Sequence, residues 1–394
     1  MNHPLKIGLL TPAFASVTGL DSGIGTHFRH LADGLSAAGQ SVTAIVVSDK
    51  AMSVPSLGYD VRPVVVPKPK FARLLGRLSW QLHQWLCLRA AISAATRTAR
   101  SVDIDVWETT STGSLALHML GQAHPAPFAV RVSTTAAQLC ATNSGDRHWV
   151  SRRIEAWEAA TVRRADRVLT HSQSHRDSIG HEFRLSIDRI PIIPHGIPIP
   201  SDRVSPPRGD RCRVLFVGRF EHRKGIDLIM GALPEFLSAT PHAEVTLVGA
   251  DSGDHWQMHW RERGPAPVRD RVHFTGVVDA AELSRHYREA DLFVAPSRYE
   301  SFGLMFVEAM GRALPVVALN APGASDMFEH DVTGVLVPPE NPQALAAALQ
   351  ALACDPVRRA RIGNAARSVM EERYSLAALT GNSLAFYRSM IAER

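Results

Sequence analysis

Cysteine is scarce and scattered. Cys87, Cys140, Cys212 and Cys354 show neither metal-ligand spacing nor a disulfide framework. A reducing, cytoplasmic setting is therefore expected. No uncharged apolar run reaches the roughly 18–20 residues of a membrane span. Met1 to Lys6 leads straight into the apolar stretch Ile7-Gly8-Leu9-Leu10, so no signal peptide is expected. Charge of either sign is in small excess only. A net +5 falls far short of a nucleic-acid-binding surface, but it fits anionic small molecules or an acidic membrane face. One local absence stands out: residues 61–102 contain no Asp or Glu.

What is present is ordinary globular composition, 45% hydrophobic and 21% charged, over 394 residues. That length is too great for one ordinary core and suits two domains. The first half alternates strands, expected at 6–11, 41–47, 61–66, 104–108, 127–133, 167–171 and 190–193, with helices at 24–38, 71–98, 111–121, 148–164 and 174–182. Val42-Thr43-Ala44-Ile45-Val46-Val47 is short, β-branched and apolar on both faces, as a parallel strand buried between helices reads. The Pro-rich stretch from Pro194 through Pro206-Pro207 reads as an interdomain linker. A second α/β series follows, with strands at 212–217, 244–248, 271–275, 291–295, 315–319 and 334–337 and helices at 342–353 and 356–372. The fold class is α/β, with Rossmann-like domains at 1–200 and 201–375 and a last segment, 376–394. Two such series place a ligand cleft between them, at the carboxyl ends of the strands.

Two segments carry candidate chemistry. Glu300-Ser-Phe-Gly-Leu-Met-Phe-Val-Glu308 sets two carboxylates eight positions apart. A turn that becomes a helix there would put Glu300 just before the first turn and Glu308 about two turns inside, about 80° apart in rotation and about 12 Å apart along the axis. The amides of Ser301, Phe302, Gly303 and Leu304 would then point out of the helix start as an anion site. Such a pair around an anion cradle suits a phosphate ester with hydroxyls at both ends, as in a nucleotide sugar. The second segment, Val214-Leu-Phe-Val-Gly218-Arg219-Phe-Glu-His-Arg-Lys224-Gly225, is a strand followed by Gly, Arg and Lys. By itself, Arg219 with Lys224 could equally be a solvated surface pair. Gly23-Ile24-Gly25 opens a helix after the first strand. It fails the dinucleotide fingerprint, because Phe28 stands where the third Gly belongs.

With these residues the chain resembles the retaining glycosyltransferases of family 4, which have the GT-B fold. The likeness is strong over about 212–340, moderate over 6–45, and poor in the middle of the first half. It implies a donor nucleoside diphosphate sugar, linked through UDP or GDP, held mainly by the second domain. Arg219 and Lys224 would hold its pyrophosphate, Glu300 would contact the sugar and Glu308 the ribose. Gly25 would let backbone approach the donor phosphate, and Val278 and the 301–304 turn complete the donor contacts. Glu300, Arg219 and Lys224 would carry the catalysis. The last helix would cross back onto the first domain. No cofactor and no metal are implied, the nucleotide sugar being a substrate. Asp103-Ile104-Asp105 spells the acidic string of metal-dependent sugar transferases of another fold, but it sits at the entrance of a buried strand.

The chain departs from the family at one place. The family often has a His after the strand matching Phe128-Ala-Val-Arg-Val-Ser133, where this chain has Ser133. Ser cannot take up a proton near neutral pH. His118, His124 or His27 could substitute, and His195 suits a hinge or packing role. A sugar-nucleotide epimerase, a pseudo-glycosyltransferase or a degenerate nucleotide-binding partner subunit would show a similar donor segment. On the acceptor side, Lys68, Lys70, Arg73, Arg77, Arg89, Arg97 and Arg100 surround Phe71, Trp80 and Trp85. An amphipathic helix there would place Phe71, Leu74, Leu75, Leu78, Leu82 and Trp85 on one stripe, with Arg73, Arg77 and Trp80 opposite. Ser133, Arg73, Arg77 and Trp80 are the acceptor-side candidates. The acceptor would be a sugar, a lipid-linked molecule or a small molecule, with peripheral contact at the inner face of the membrane only in the lipid-linked case.

Overall fold

A computed structural model describes residues 3–18, 22–66, 76–120, 125–142, 149–201, 211–251, 253 and 255–394. The chain divides into two compact units, Met1–Gly196 with Leu376–Arg394, and Ile197–Ser375. Each is built on a six-stranded sheet that is parallel throughout. The first contains β1 Lys6–Thr11, β2 Ser41–Ser48, β3 Asp60–Val65, β4 Val106–Thr110, β5 Phe128–Arg131 and β6 Arg167–Leu169, in the order β3-β2-β1-β4-β5-β6. The second contains β7 Cys212–Val217, β8 Ala243–Val248, β9 Val272–Gly276, β10 Leu292–Ala295, β11 Val316–Leu319 and β12 Val335–Val337, in the order β12-β11-β10-β7-β8-β9.

Both orders are the doubly wound one. The chain runs outward from the first strand, returns, and runs out the other way. The sequence produces this because its strands are apolar on both faces. In β2, Val42, Ala44 and Val46 join one core, and Ile45 and Val47 join the core on the opposite face. In β7, Cys212, Val214 and Phe216 face one core and Leu215 the other. Parallel strands that bury both faces need helices on each side.

Local signals set the helix ends. Ser22 caps the helix Gly23–Ala37 by accepting from Gly25 N. Asn341 before Pro342 and Asp355 before Pro356 begin the helices Pro342–Ala353 and Pro356–Arg373 in the same way. The last helix, Leu376–Ala392, belongs to the first unit and packs against Gly23–Ala37 and β4.

Four expectations are corrected. Residues 190–193 form no strand, only a single bridge from Ile192 to Thr170. The helix expected at 111–121 is one 3₁₀ turn, Thr112–Ser114, followed by further turns. Gly113 has φ of 77° there, outside the helical region. A helix not expected, Ala136–Thr142, follows β5. Of the stripe read for the helix Gly76–Arg100, two side chains are described: Leu82 is exposed, and Trp85 is half-buried with its ring 6.4 Å from that of Trp157. Ile92, Ala95 and Ala99, further along the helix, are buried, the two alanines in the core under the sheet. Lys68, Lys70, Phe71, Arg73, Leu74, Leu75, the linker residues 202–210, and the side chains of Arg77, Leu78 and Trp80 lie outside the described residues.

Candidate active site

In a doubly wound sheet, ligands bind where the strand order reverses, outside the carboxyl ends of the strands. In the second unit that point lies between β7 and β10, which pair through Val214 with Leu292 and Leu215 with Phe293. The segment after β7 carries Gly218, Arg219, Glu221, Arg223 and Lys224, and the segment after β10 carries Pro296 to Glu300. The fold thus brings together the two stretches that were singled out in the sequence some 80 residues apart.

The two segments are fastened to each other. Arg298 N donates to Arg223 O at 2.9 Å, and Arg223 Nη1 donates to Tyr299 O at 3.0 Å. The Arg298 guanidinium spans both oxygens of Asp227, at 2.8 and 2.7 Å, and also reaches Glu340. Gly225 makes the approach possible. Its φ is 71°, and a Cβ there would lie 2.0 Å from Pro296 O.

At the centre is a chain of alternating charge. Lys224 Nζ donates to Glu300 Oε1 at 2.6 Å, and Arg223 Nη1 lies 3.3 Å from Glu300 Oε2. Arg223 Nη2 donates to Glu221 Oε1 at 2.9 Å, and Arg219 Nη2 meets the same oxygen at 3.2 Å. Burial by itself would push the Glu300 carboxyl up. The charges of Lys224 and Arg223 outweigh it and hold the group below its ordinary value. Gly323, with φ of 92°, closes behind Glu300: a Cβ there would sit 2.4 Å from Glu300 O. Arg219, by contrast, has a side chain 59% exposed and offers its remaining donors outward.

The 300–308 segment differs from its expected form. The helix is Leu304–Gly311 and starts four residues after Glu300. Gly303 precedes it with a left-handed backbone (φ 92°), so Ser301 and Phe302 lie before the helix and only Leu304 among the four amides opens it. The reversal at Gly303 lets Phe302 turn into the core, where its ring stacks edge-on with Tyr374 at 5.7 Å. Glu300 stands before the helix, as expected, but the later start leaves Glu308 about one turn inside it rather than two. Glu308, on the helix and half-buried, accepts from Tyr287 Oη at 2.8 Å. Burial raises its carboxyl above the ordinary value, against the pull of that hydroxyl and of Arg312. Arg312 stacks over the Tyr287 ring at 5.2 Å and so braces the pair. Val278 is half-buried and packs on the core below β10.

In the first unit, Gly25 lies in the opening turn of its helix. A Cβ there would come within 3.2 Å of Ala15 N and 3.3 Å of Phe14 N, so the glycine lets helix and loop close on each other. Ser133 follows β5, half-buried, with its hydroxyl 3.1 Å from Thr112 Oγ1. His27 cannot stand in for the missing His, because it is buried in the sheet's core. His118 is exposed, and His124 lies outside the described residues. Asp103 pairs with Lys6 Nζ at 2.6 Å, and Asp105 accepts from Lys6 N at 2.8 Å, so both tie down the start of β1. Among the described residues, no group of three or more His, Cys, Asp or Glu side chains is arranged to hold a metal ion.

Sequence reasoning missed Glu221, Arg223, Arg298 and Tyr287. Arg223 and Arg298 were visible only as charges in loops. Their partners are 76 and 71 residues away, and no local spacing reveals such pairs.

Two parallel, doubly wound α/β units are the parts of the GT-B fold. Solved structures with this fold include sucrose-phosphate synthase from Thermosynechococcus elongatus, with a TM-score of 0.78 at 23% identity over 99% of this chain and 100% of that one. An Anabaena protein in complex with UDP and glucose has a TM-score of 0.70 at 20% identity, over 98% and 100%. In sequence, residues 22–199 match Glycosyltransferase Family 4 and residues 200–369 match Glycosyl transferases group 1. The glycogen synthase of Mycobacterium tuberculosis is 29% identical over 88% of this chain and 86% of its own length. An uncharacterized glycosyltransferase of Methanocaldococcus jannaschii is 27% identical over 90% of each. The chain belongs to glycosyltransferase family 4. No helix among the described residues is long and apolar enough to cross a membrane.

Proposed function

We propose that this glycosyltransferase moves a sugar from a nucleoside diphosphate sugar to an acceptor hydroxyl with retention of anomeric configuration. The observation that carries the reading is the set Arg219, Lys224 and Glu300 at the β7–β10 switch point, two cations and a buried carboxylate around one place. The acceptor oxygen attacks the anomeric carbon as the bond from that carbon to the phosphate oxygen breaks. The nucleoside diphosphate leaves with the electron pair and takes the acceptor's proton on the same face. Arg219 and Lys224 neutralise the charge that builds on the departing diphosphate. Glu300 faces the positive charge that develops on the sugar ring, and Glu308 holds the ribose. The first unit, with Ser133, binds the acceptor.

A panel of nucleotide sugars tested by thermal shift identifies the donor. A ligand at 100 times its dissociation constant adds about 2.7 kcal/mol of stability. If no nucleotide sugar shifts the midpoint, the donor assignment fails.

Lys224→Ala and Arg219→Ala test the pyrophosphate site. Each is expected to lower kcat by about 10²–10³, the loss typical of removing one preorganised donor. Arg219→Ala should leave stability unchanged, since the side chain is exposed. Lys224→Ala should cost some stability, because it leaves Glu300 with Arg223 alone. Wild-type turnover in either variant would remove that residue from the site.

Activity is expected to need no divalent metal, the positive charge at the diphosphate coming from Arg219 and Lys224. A chelator should leave turnover within twofold. Loss of turnover that magnesium or manganese restores would overturn this.

A further inference from the structure

Glu300 is faced by two cations, and they are not equivalent. Lys224 reaches its Oε1 on a flexible stem, with a side chain 14% exposed. Arg223 reaches its Oε2 with a side chain 6% exposed. The Arg223 fork is already engaged on three partners: Glu221 Oε1 at 2.9 Å, Glu300 Oε2 at 3.3 Å and the carbonyl of Tyr299 at 3.0 Å. Its own carbonyl is held by Arg298 N. An arriving diphosphate would draw Lys224 and Arg219 toward itself, but it would not draw Arg223. The drift of Lys224 would strip a buried carboxylate of its nearest cation at the moment the carboxylate is needed. Glu221 compensates in the same step, because Arg219 and Arg223 share its Oε1. When Arg219 turns outward, that oxygen is left to Arg223.

We propose that Arg223 is the positioning residue of the donor site: it keeps the Glu300 carboxylate charged and in place while Lys224 engages the donor diphosphate. This rests on the nucleotide-sugar reading above. Arg223 touches no substrate in this scheme and acts through Glu300. The groups facing Glu300 are Lys224 and Arg223 from the segment after β7, Ser297 from the segment after β10, and the Gly323 backbone from the segment after β11. With Arg223 removed, burial of Glu300 is opposed by Lys224 alone, so the carboxyl should titrate at higher pH.

The test compares wild type, Arg223→Gln and Arg223→Lys as full-length protein. UDP affinity is measured by calorimetry, turnover on UDP-glucose and GDP-mannose, and the Glu300 carboxyl by its ¹³C titration without donor. In Arg223→Gln, kcat is expected to fall at least 30-fold with donor KM and UDP affinity within threefold. The acid limb of kcat and the Glu300 titration should both move to higher pH. Arg223→Lys keeps the charge but cannot span both carboxylates. It should restore the titration and lose at least fivefold in kcat. If Arg223→Gln does not fold, the Lys variant decides by that fivefold loss. An unmoved titration, an unchanged kcat, or a loss that falls on UDP affinity overturns the role of Arg223. A wild type that binds UDP and turns over neither sugar nucleotide strikes the choice of donor, while the titration still decides on Arg223.

Discussion

Glu300→Gln is expected to lower kcat by about 10²–10³, with the donor's dissociation constant changed by less than tenfold. The change is nearly isosteric, so the contacts with Lys224 and Arg223 lose charge rather than reach. A carboxylate beside the sugar does little for the ground state. It becomes favourable as positive charge grows on the ring, so its loss appears in turnover. Glu308→Ala should do the opposite. A ribose contact persists through the reaction, so its removal is uniform loss of binding, raising the donor constant with kcat less affected. The structure sharpens this contrast. Glu300 is held ionised between two cations, whereas burial raises the Glu308 carboxyl, which accepts from Tyr287. Steady-state kinetics and calorimetry on the two variants decide. Equal effects on both parameters in both variants would reject the division of roles.

The first unit is expected to be acid-labile, losing its fold as pH falls from 7 toward 5. His27, His171, His175 and His195 lie buried in contact with one another. The rings of His27 and His195 are 4.1 Å apart, those of His171 and His195 4.4 Å, and those of His171 and His175 5.1 Å. The Nδ1 atoms of His27 and His195 are 2.6 Å apart, so one donates and the other accepts, and the two rings cannot both carry a proton on that nitrogen. Burial pushes His27, His171 and His195 well below the ordinary value, aided at His27 by the charges of Arg131 and His30 and at His171 and His195 by neighbouring histidines and Arg131, and burial takes His175 to about 4. In the unfolded chain each titrates near 6.5. A base whose folded value is depressed gives stability that is complete above the unfolded value and is lost as pH falls below it. Each such proton is worth about 1.4 kcal/mol per pH unit, so four approach about 5 kcal/mol per unit below pH 6. A whole domain has only about 5–15 kcal/mol.

Buried Glu108 lies 3.7 Å from His27 Nε2, but it is already taken by Arg131 Nε and Tyr387 Oη, each at 2.7 Å. Two carboxyls of the unit, Glu158 and Glu182, are raised by burial and work in the opposite direction, but nearer the carboxylate range. Urea midpoints measured at pH 8, 6.5 and 5.5 should fall modestly between the first two, because half of each unfolded His is protonated at about 6.5, and steeply to the third. His171→Phe should flatten the fall by about one proton's worth. A midpoint unchanged from pH 8 to 5.5 would dismiss the cluster as the cause.

The sequence by itself determined the architecture. Short strands apolar on both faces can settle only between two layers of helices, so the parallel α/β series was legible from Val42–Val47 and Cys212–Val217 alone. It also singled out Arg219 and Lys224 after a strand end, and Glu300 in the segment that leads through Gly303 into a helix, three residues that the fold of the second unit brings to one switch point. Short irregular pieces were not legible, because 111–121 and 190–193 take their form from neighbours rather than from periodicity. Only the tertiary structure decided that the helix carrying Glu308 waits until Leu304, after a left-handed turn at Gly303 that lets Phe302 pack into the core. It alone revealed that Arg223 lies against Glu300 and that four histidines scattered from 27 to 195 share one buried site. Those facts depend on which loops the sheet order brings side by side. Pairing across 77 or 168 residues leaves no period in the chain for a reader to find.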